Sequence, residues 1–303
     1  MIKWIQITGL LLCAAITMNA RQSEFPKLTG PYLGQKPPGT TPEIFAPGIV
    51  STTAHEFSCC FMPDGKEFFF ARRDLKLNQT VLFVTKLVDG AWTEPSVALF
   101  VENEYSFEPS VTPNSQRLYF QSGKPIPGQT GPPMNVLYVE REGERWGMPK
   151  NPGPPFNPAQ AMGISSTLNG TIYTTDISGG PGSECIAVMR KINGEYQKLE
   201  RLGPPINKDI QGMYPFVAPD ESYLIFSSRK PAEKIDSVLL ISYKGSDGRW
   251  GEPRLIDVGM SAGLPLVSPD GRFLFFTSGE RGKSDIYWVS AKIIERGRGK
   301  EVR

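Results

Sequence analysis

Five times along this chain a short apolar strand runs into a Pro-Asp-Gly-like turn and leaves it as a second strand rich in aromatic residues. The clearest copy is Gly263 to Ser278, reading Gly-Leu-Pro-Leu-Val-Ser-Pro-Asp-Gly-Arg-Phe-Leu-Phe-Phe-Thr-Ser. The Asp or Asn of the turn falls at Asp64, Asn114, Asn169, Asp220 and Asp270, so successive copies are 50, 55, 51 and 50 residues apart. One unit of short strands cannot bury its apolar face alone, and stacking units of this length in a ring is what a β-propeller does.

The rest of each unit repeats as well. A third run of β-formers follows at Val81 to Val84, Asn135 to Val139, Cys185 to Val188, Val238 to Ile241 and Ile286 to Val289. Four units then carry an aromatic before a fourth strand, at Trp92, Trp146, Tyr196 and Trp250. The fifth unit lacks this last element. Thr41-Pro-Glu-Ile-Phe aligns with Glu94-Pro-Ser-Val and Glu252-Pro-Arg-Leu, so residues 42–50 are expected to supply the missing outer strand beside Ile286 to Val289. The predicted fold is all-β: a five-bladed β-propeller of four-stranded antiparallel blades, closed by the N-terminal strand pairing in the last blade. Closure removes the open sheet edge that would otherwise recruit other chains.

The turn residues have a chemical reason. Pro presets φ near −65°, Gly supplies positive φ, and Asp or Asn accepts a hydrogen bond from the backbone N–H two residues on. Asn at two of the five positions fits a structural role, because a carboxylate-dependent one would not survive it. The recurring aromatics (Phe68 to Phe70, Tyr119-Phe120, Tyr223 to Phe226, Phe273 to Phe276) alternate along their strands and are expected to pack blade against blade.

Outside the repeats the chain changes character. Residues 1–20 carry one charge, Lys3, and an apolar run ending at Ala20, the pattern of a signal peptide. Export, to the periplasm or beyond, is therefore expected. Anchoring through a lipidated Cys13 is disfavoured by the bulky Leu12 before it. Residues 21–41 are rich in Pro and Gly and read as an extended entry segment, residues 42–292 as a single propeller domain, and residues 293–303 as a basic tail. With 33 basic and 31 acidic side chains the net charge is +2, which gives no electrostatic reason to expect nucleic acid or an anionic membrane as partner. After leader removal Cys59, Cys60 and Cys185 remain. They read as buried small hydrophobes, since adjacent strand residues point to opposite faces and blades one and three are far apart. One histidine and no Cys-x-x-Cys pair leave no ligand set for zinc, and no metal or cofactor is expected.

The pattern x-Pro-x-x-Ser-Pro-Asp-Gly-x-x-Leu-x-Phe-x-Ser followed by Asp-Ile-Tyr, here Leu264 to Ser278 and then Asp285-Ile286-Tyr287, resembles the WD-like repeat of the TolB-type β-propeller family. The likeness covers residues 42–290 and is weakest in the third unit, where Leu168-Asn169-Gly170 replaces Pro-Asp-Gly. The resemblance implies an exported bacterial propeller acting as a binding or scaffolding module in the envelope. TolB itself carries an additional N-terminal α/β domain, for which this chain offers no stretch.

Function should be written where the units differ. Nine residues before each turn residue stand His55, Tyr105, Gln160, Gln211 and Ser261; six before it stand Ser58, Glu108, Gly163, Tyr214 and Leu264. These positions enter the innermost strands, so His55, Glu56, Tyr105, Glu108, Gln160, Gln211 and Tyr214 are the candidate lining of a funnel. Their amides and aromatic faces suit a peptide, a glycan or a protein of the envelope, with the protein itself a monomer and no catalytic residue assigned. The alternative is an exported glycoside hydrolase whose carboxylate pair, Glu56 and Glu108 from adjacent blades, would have to stand about 5 to 10 Å apart. A metal-dependent lyase is remote with a single histidine.

Overall fold

The computed structural model describes residues 25–102, 104–127, 134–157, 161–229, 237–280 and 282–295. The expected leader with Cys13, the tail from residue 296 and Gln160 lie outside the described residues.

Five antiparallel sheets form the ring. Blade one runs through Glu56–Phe61, Glu67–Asp74 and Gln79–Val88 to an outer strand at Ser96–Val97. Blade two comprises Ser106–Val111, Arg117–Ser122 and Asn135–Glu142, with Lys150 bridging Tyr138 at the edge. Blade three uses Ala161–Ser166, Ile172–Asp176, Cys185–Met189 and Glu200–Arg201, and blade four Gly212–Val217, Tyr223–Arg229, Ser237–Tyr243 and Arg254–Ile256. Blade five holds Gly263–Val267, Phe273–Glu280 and Lys283–Ser290, and its outer strand is Glu43–Ile44 from the other end of the chain.

The closing strand is shorter than the expected 42–50. Glu43 pairs with Trp288 and Ile44 with Tyr287, and the Phe45 N–H still donates to Ile286 O at 2.8 Å. At Ala46 the backbone turns to φ 43°, Pro47 follows with no N–H to give, and the Val50 amide folds back onto Ala46 O. A tight turn thus ends the strand. The entry segment also does more than extend. Tyr32 and Leu33 sit buried in a short 3-10 turn, and Trp92 donates from Nε1 to Gly30 O at 2.7 Å.

Each turn residue works as the chemistry requires. The N–H of Lys66, Gln116, Thr171, Ser222 and Arg272 donates to the side-chain oxygen of Asp64, Asn114, Asn169, Asp220 and Asp270 respectively, at 2.9 to 3.1 Å. In the third blade Leu168 has the N–H that Pro lacks, and it donates to Pro219 O of the next turn at 2.8 Å.

The core is divided among the blade interfaces. Five apolar clusters fill the gaps between neighbouring sheets, and the most aromatic one lies at the closure. There Phe45 meets Phe68, Phe275 and Trp288 with ring centroids 5.0 to 5.2 Å apart in edge-on geometry. The outer-hairpin aromatics stitch each blade to the one before it. Trp146 donates to Glu67 at 3.1 Å, Tyr196 packs edge-on against Phe156, and Trp250 against Tyr173. Cys59, Cys60 and Cys185 are free and buried.

Because Phe45 is fully buried at the seam, Phe45→Ala should cost about 3 to 5 kcal/mol in a urea titration. Leu99→Ala, at a side chain 95% exposed, should stay within about 0.5 kcal/mol of the parent. Equal losses in the two variants would mean that the seam carries no special share of the stability.

Candidate functional site

The inner strands share a feature that only their backbones reveal. Ser58, Glu108, Gly163, Tyr214 and Leu264 all have φ between 40° and 68°, and the pairing register slips at each of them. These are bulges, one per blade at the same level, and a bulge re-aims the side chain it carries. Four of the five are not glycine, so the ring keeps strained backbone at a fixed place around its axis. Together the five residues, with Cys59, Pro109, Ile164, Pro215 and Pro265 after them, line a throat of about 50 Å³ on the channel axis.

What holds the bulges is a relay of hydrogen bonds from blade to blade. The bulge N–H of Ser58 donates to Thr277 Oγ1 (3.1 Å), that of Glu108 to Ser58 Oγ (3.1 Å), that of Tyr214 to Thr175 Oγ1 (2.8 Å) and that of Leu264 to Ser227 Oγ (3.1 Å). In the third blade the Gly163 backbone lies beside the carboxyl of Glu108 and favours its charged form. Glu108 thus puts an ionisable group where the other blades present a hydroxyl.

That group is in an unusual position. Glu108 is 7% exposed, and its Oε2 has no hydrogen-bond partner among the described residues. Burial is the main cause that pushes its pKa up to about 8, with the Gly163 amide opposing. Tyr214 and Tyr105 feel its charge. Burial first, and Glu108 second, hold both phenols above their ordinary value, while Arg229 pulls Tyr214 down and Glu184 pushes it up.

Glu56 is placed differently. It is fully buried, and its carboxylate accepts from Arg72 Nε (2.8 Å), the Thr52 hydroxyl (2.6 Å) and the Thr52 N–H (3.2 Å). Arg72 in turn donates to Ile49 O and Val50 O and lies over the rings of Phe70 and Phe83. This cluster clamps the closing segment to blade one; Glu56 does not join Glu108 in the throat. His55 lies at the same seam, stacked on Phe57 with centroids 4.8 Å apart and accepting the Ser284 N–H at Nδ1 (3.3 Å). Burial lowers its pKa, so the ring is neutral at pH 7.

Tyr105 is 37% exposed and tilts against Phe107, 5.2 Å between centroids. Gln211 donates to Glu184, which also accepts the Gly182 N–H at 2.8 Å. Glu184 and Arg229 were not legible as site residues, because both sit at strand ends outside the repeated positions. The available signal was a charge at each strand end, Glu184 just before Cys185 and Arg229 just after Ser228. On the turn side of the throat the channel widens into a pocket of about 370 Å³ walled by Pro63, Pro113, Leu168, Pro219 and Pro269. Among the described residues no group of three or more His, Cys, Asp or Glu is placed to hold a metal ion.

No protein-family model matches this chain, and no curated protein matches its sequence. Solved structures do match. An endo-arabinase from Bacteroides thetaiotaomicron aligns over 84% of this chain and 96% of its own, at 10% identity and a TM-score of 0.54. A thermostable family-43 glycoside hydrolase aligns over 80% and 90%, at 14% identity and 0.53, and a TolB-type protein from Agrobacterium tumefaciens over 75% and 71%, at 14% identity and 0.50. At such identities the likeness is one of fold, and the five sheets of the ring define the chain as a five-bladed β-propeller.

Removal of the Glu108 carboxyl should show in the pH dependence of stability. A carboxyl raised to about 8 in the folded state favours folding when protonated, and that contribution is lost as pH rises from the unfolded value through 8. Glu108→Gln should therefore match the parent at pH 4 and exceed it at pH 9 by on the order of a few kcal/mol in denaturant melts. A parent whose stability is flat from pH 5 to 9 would contradict the raised value.

Proposed function

We propose that this protein is an exported, non-catalytic binding propeller that receives its ligand on the face where the chain enters the inner strands. The observation that carries this reading is the unpartnered Oε2 of Glu108 on the channel axis, with Tyr214, Tyr105 and the Gln211–Glu184 pair near it. A buried acceptor left unmade is costly, and a ligand that supplies the donor recovers that cost. The ligand class is a peptide, a glycan or an envelope protein. The leader pattern of residues 1–20 supports export.

The hydrolase alternative needs two carboxyls facing one bond, one of them free to act as base or nucleophile. Glu56 has both oxygens engaged by Thr52 and Arg72, which favours the binding reading. The endo-arabinase likeness nevertheless names the substrate to try first.

Protein beginning at Arg21 should select ligands from a combined peptide and glycan array and release no reducing ends from arabinan. Tyr105→Ala should weaken the selected ligand about tenfold or more with an unchanged melting temperature. Sugar release that disappears in Glu108→Gln would replace the binding reading with the hydrolytic one. Envelope fractionation with N-terminal sequencing checks export: a mature protein starting at Arg21 is expected, and full-length protein in the cytosol would refute it.

A further inference from the structure

The throat is small, and its one carboxyl lacks a counter-charge among the described residues. About 50 Å³ leaves room for an ammonium group and an adjoining methylene. Arg229 is a cation whose charge reaches this face, where it acts on Tyr214 and Glu184. Around Glu108 the walls are the hydroxyl of Ser58, the Gly163 backbone, the ring of Tyr214 and the side chain of Leu264. Tyr105, against Phe107, adds an aromatic face on the same side. Rings of this kind attract cations through their quadrupole, as they do in aromatic cages for alkylammonium groups.

Resting on the proposed binding role of this face, we infer that the throat admits the ammonium group of a ligand, a lysine side chain or a peptide N-terminus, as the direct partner of Glu108 Oε2. The ammonium brings both missing items, a donor for the orphaned oxygen and a positive charge for the carboxylate. A neutral hydroxyl brings only the first. Binding is then a proton exchange: Glu108 enters as the carboxylic acid, releases its proton to solvent, and remains as carboxylate against R–NH3+. Covalent bonds in the ligand are unchanged. Peptides carrying lysine or a free amino terminus are thereby preferred over glycans.

The titratable groups facing Glu108 are Tyr214 from blade four, Tyr105 at the start of its own strand and Cys59 from blade one. Burial holds all three above their ordinary values, so they keep their protons between pH 6 and 8. His55, at the blade one entry, changes charge below its ordinary value of 6.5. Of the groups that face the throat, Glu108 is the one left to titrate between pH 6.5 and 8.

The test uses n-butylammonium chloride and 1-butanol as a matched pair on protein beginning at Arg21, followed by calorimetry and by the 13C shift of the Glu108 carboxyl. At pH 8.5 the amine should bind at least tenfold more tightly than the alcohol. Its affinity should fall by about tenfold per unit between pH 8 and 6, with close to one proton released per site in paired buffers. Glu108→Gln should lose the preference and the pH dependence while staying folded, with a melting temperature at neutral pH no lower than the parent's. The carboxyl shift in the unmutated protein reads ionisation on amine addition without any variant. Equal binding of amine and alcohol, or a carboxyl shift that does not move, overturns the inference. If the array meanwhile selects a glycan, the binding role stands without it; if nothing binds by any route, both fall.

Discussion

Two residues at one end of the chain pair with two near the other, and the ring exists because they do. Glu43 and Ile44 have no partner until Tyr287 and Trp288 are in place, so the fifth blade is complete only once the other four are stacked. That pairing spans most of the sequence and therefore carries a large loop-closure cost. The aromatic cluster around Phe45, Phe61, Phe68, Phe275 and Trp288, the richest in rings of the blade interfaces, offsets it. The Glu56–Arg72 clamp and the docking of Trp92 on Gly30 hold the same segment from either side. Charge, apolar packing and backbone pairing converge on one seam.

With the ring closed, the five inner strands are brought side by side around the axis, and their bulges become neighbours. Each bulge amide needs an acceptor, and those of Ser58, Glu108, Tyr214 and Leu264 take it from the blade before. Where that acceptor is Thr277, Ser58, Thr175 or Ser227 the arrangement is neutral and local. Beside the Gly163 bulge the neighbouring blade presents Glu108 instead, a buried carboxyl with one oxygen unpartnered among the described residues. Structural and functional demands therefore meet in one side chain. The cost of burying it is tolerated by a ring whose other interfaces are apolar and well packed.

Fold likeness to glycoside hydrolases and to a TolB-type protein leaves the function to be argued from the site. The two carboxyls that sequence position places in adjacent blades serve different ends. Glu56 belongs to the seam, neutralised by a guanidinium, and Glu108 belongs to the axis, neutralised by holding its proton. Position in a repeat predicts which strand a residue enters but not which way a bulge will turn it.

The sequence by itself determined the blade count, the strand order, the Asx turns and the origin of the closing strand, because all of these follow from local periodicity and from residues that fix φ or accept a hydrogen bond two positions away. It also marked the row from Ser58 to Leu264 as the place where the units diverge. Only the tertiary structure decided that this row is a ring of positive-φ bulges, that Glu184 and Arg229 stand near Tyr214, and that residues 46–51 leave the edge strand in a turn. Those outcomes depend on which blade supplies each acceptor across a gap of about 40 to 220 residues, as between Leu264 and Ser227 or Ser58 and Thr277. Through-space partners of that kind leave no pattern in the order of residues.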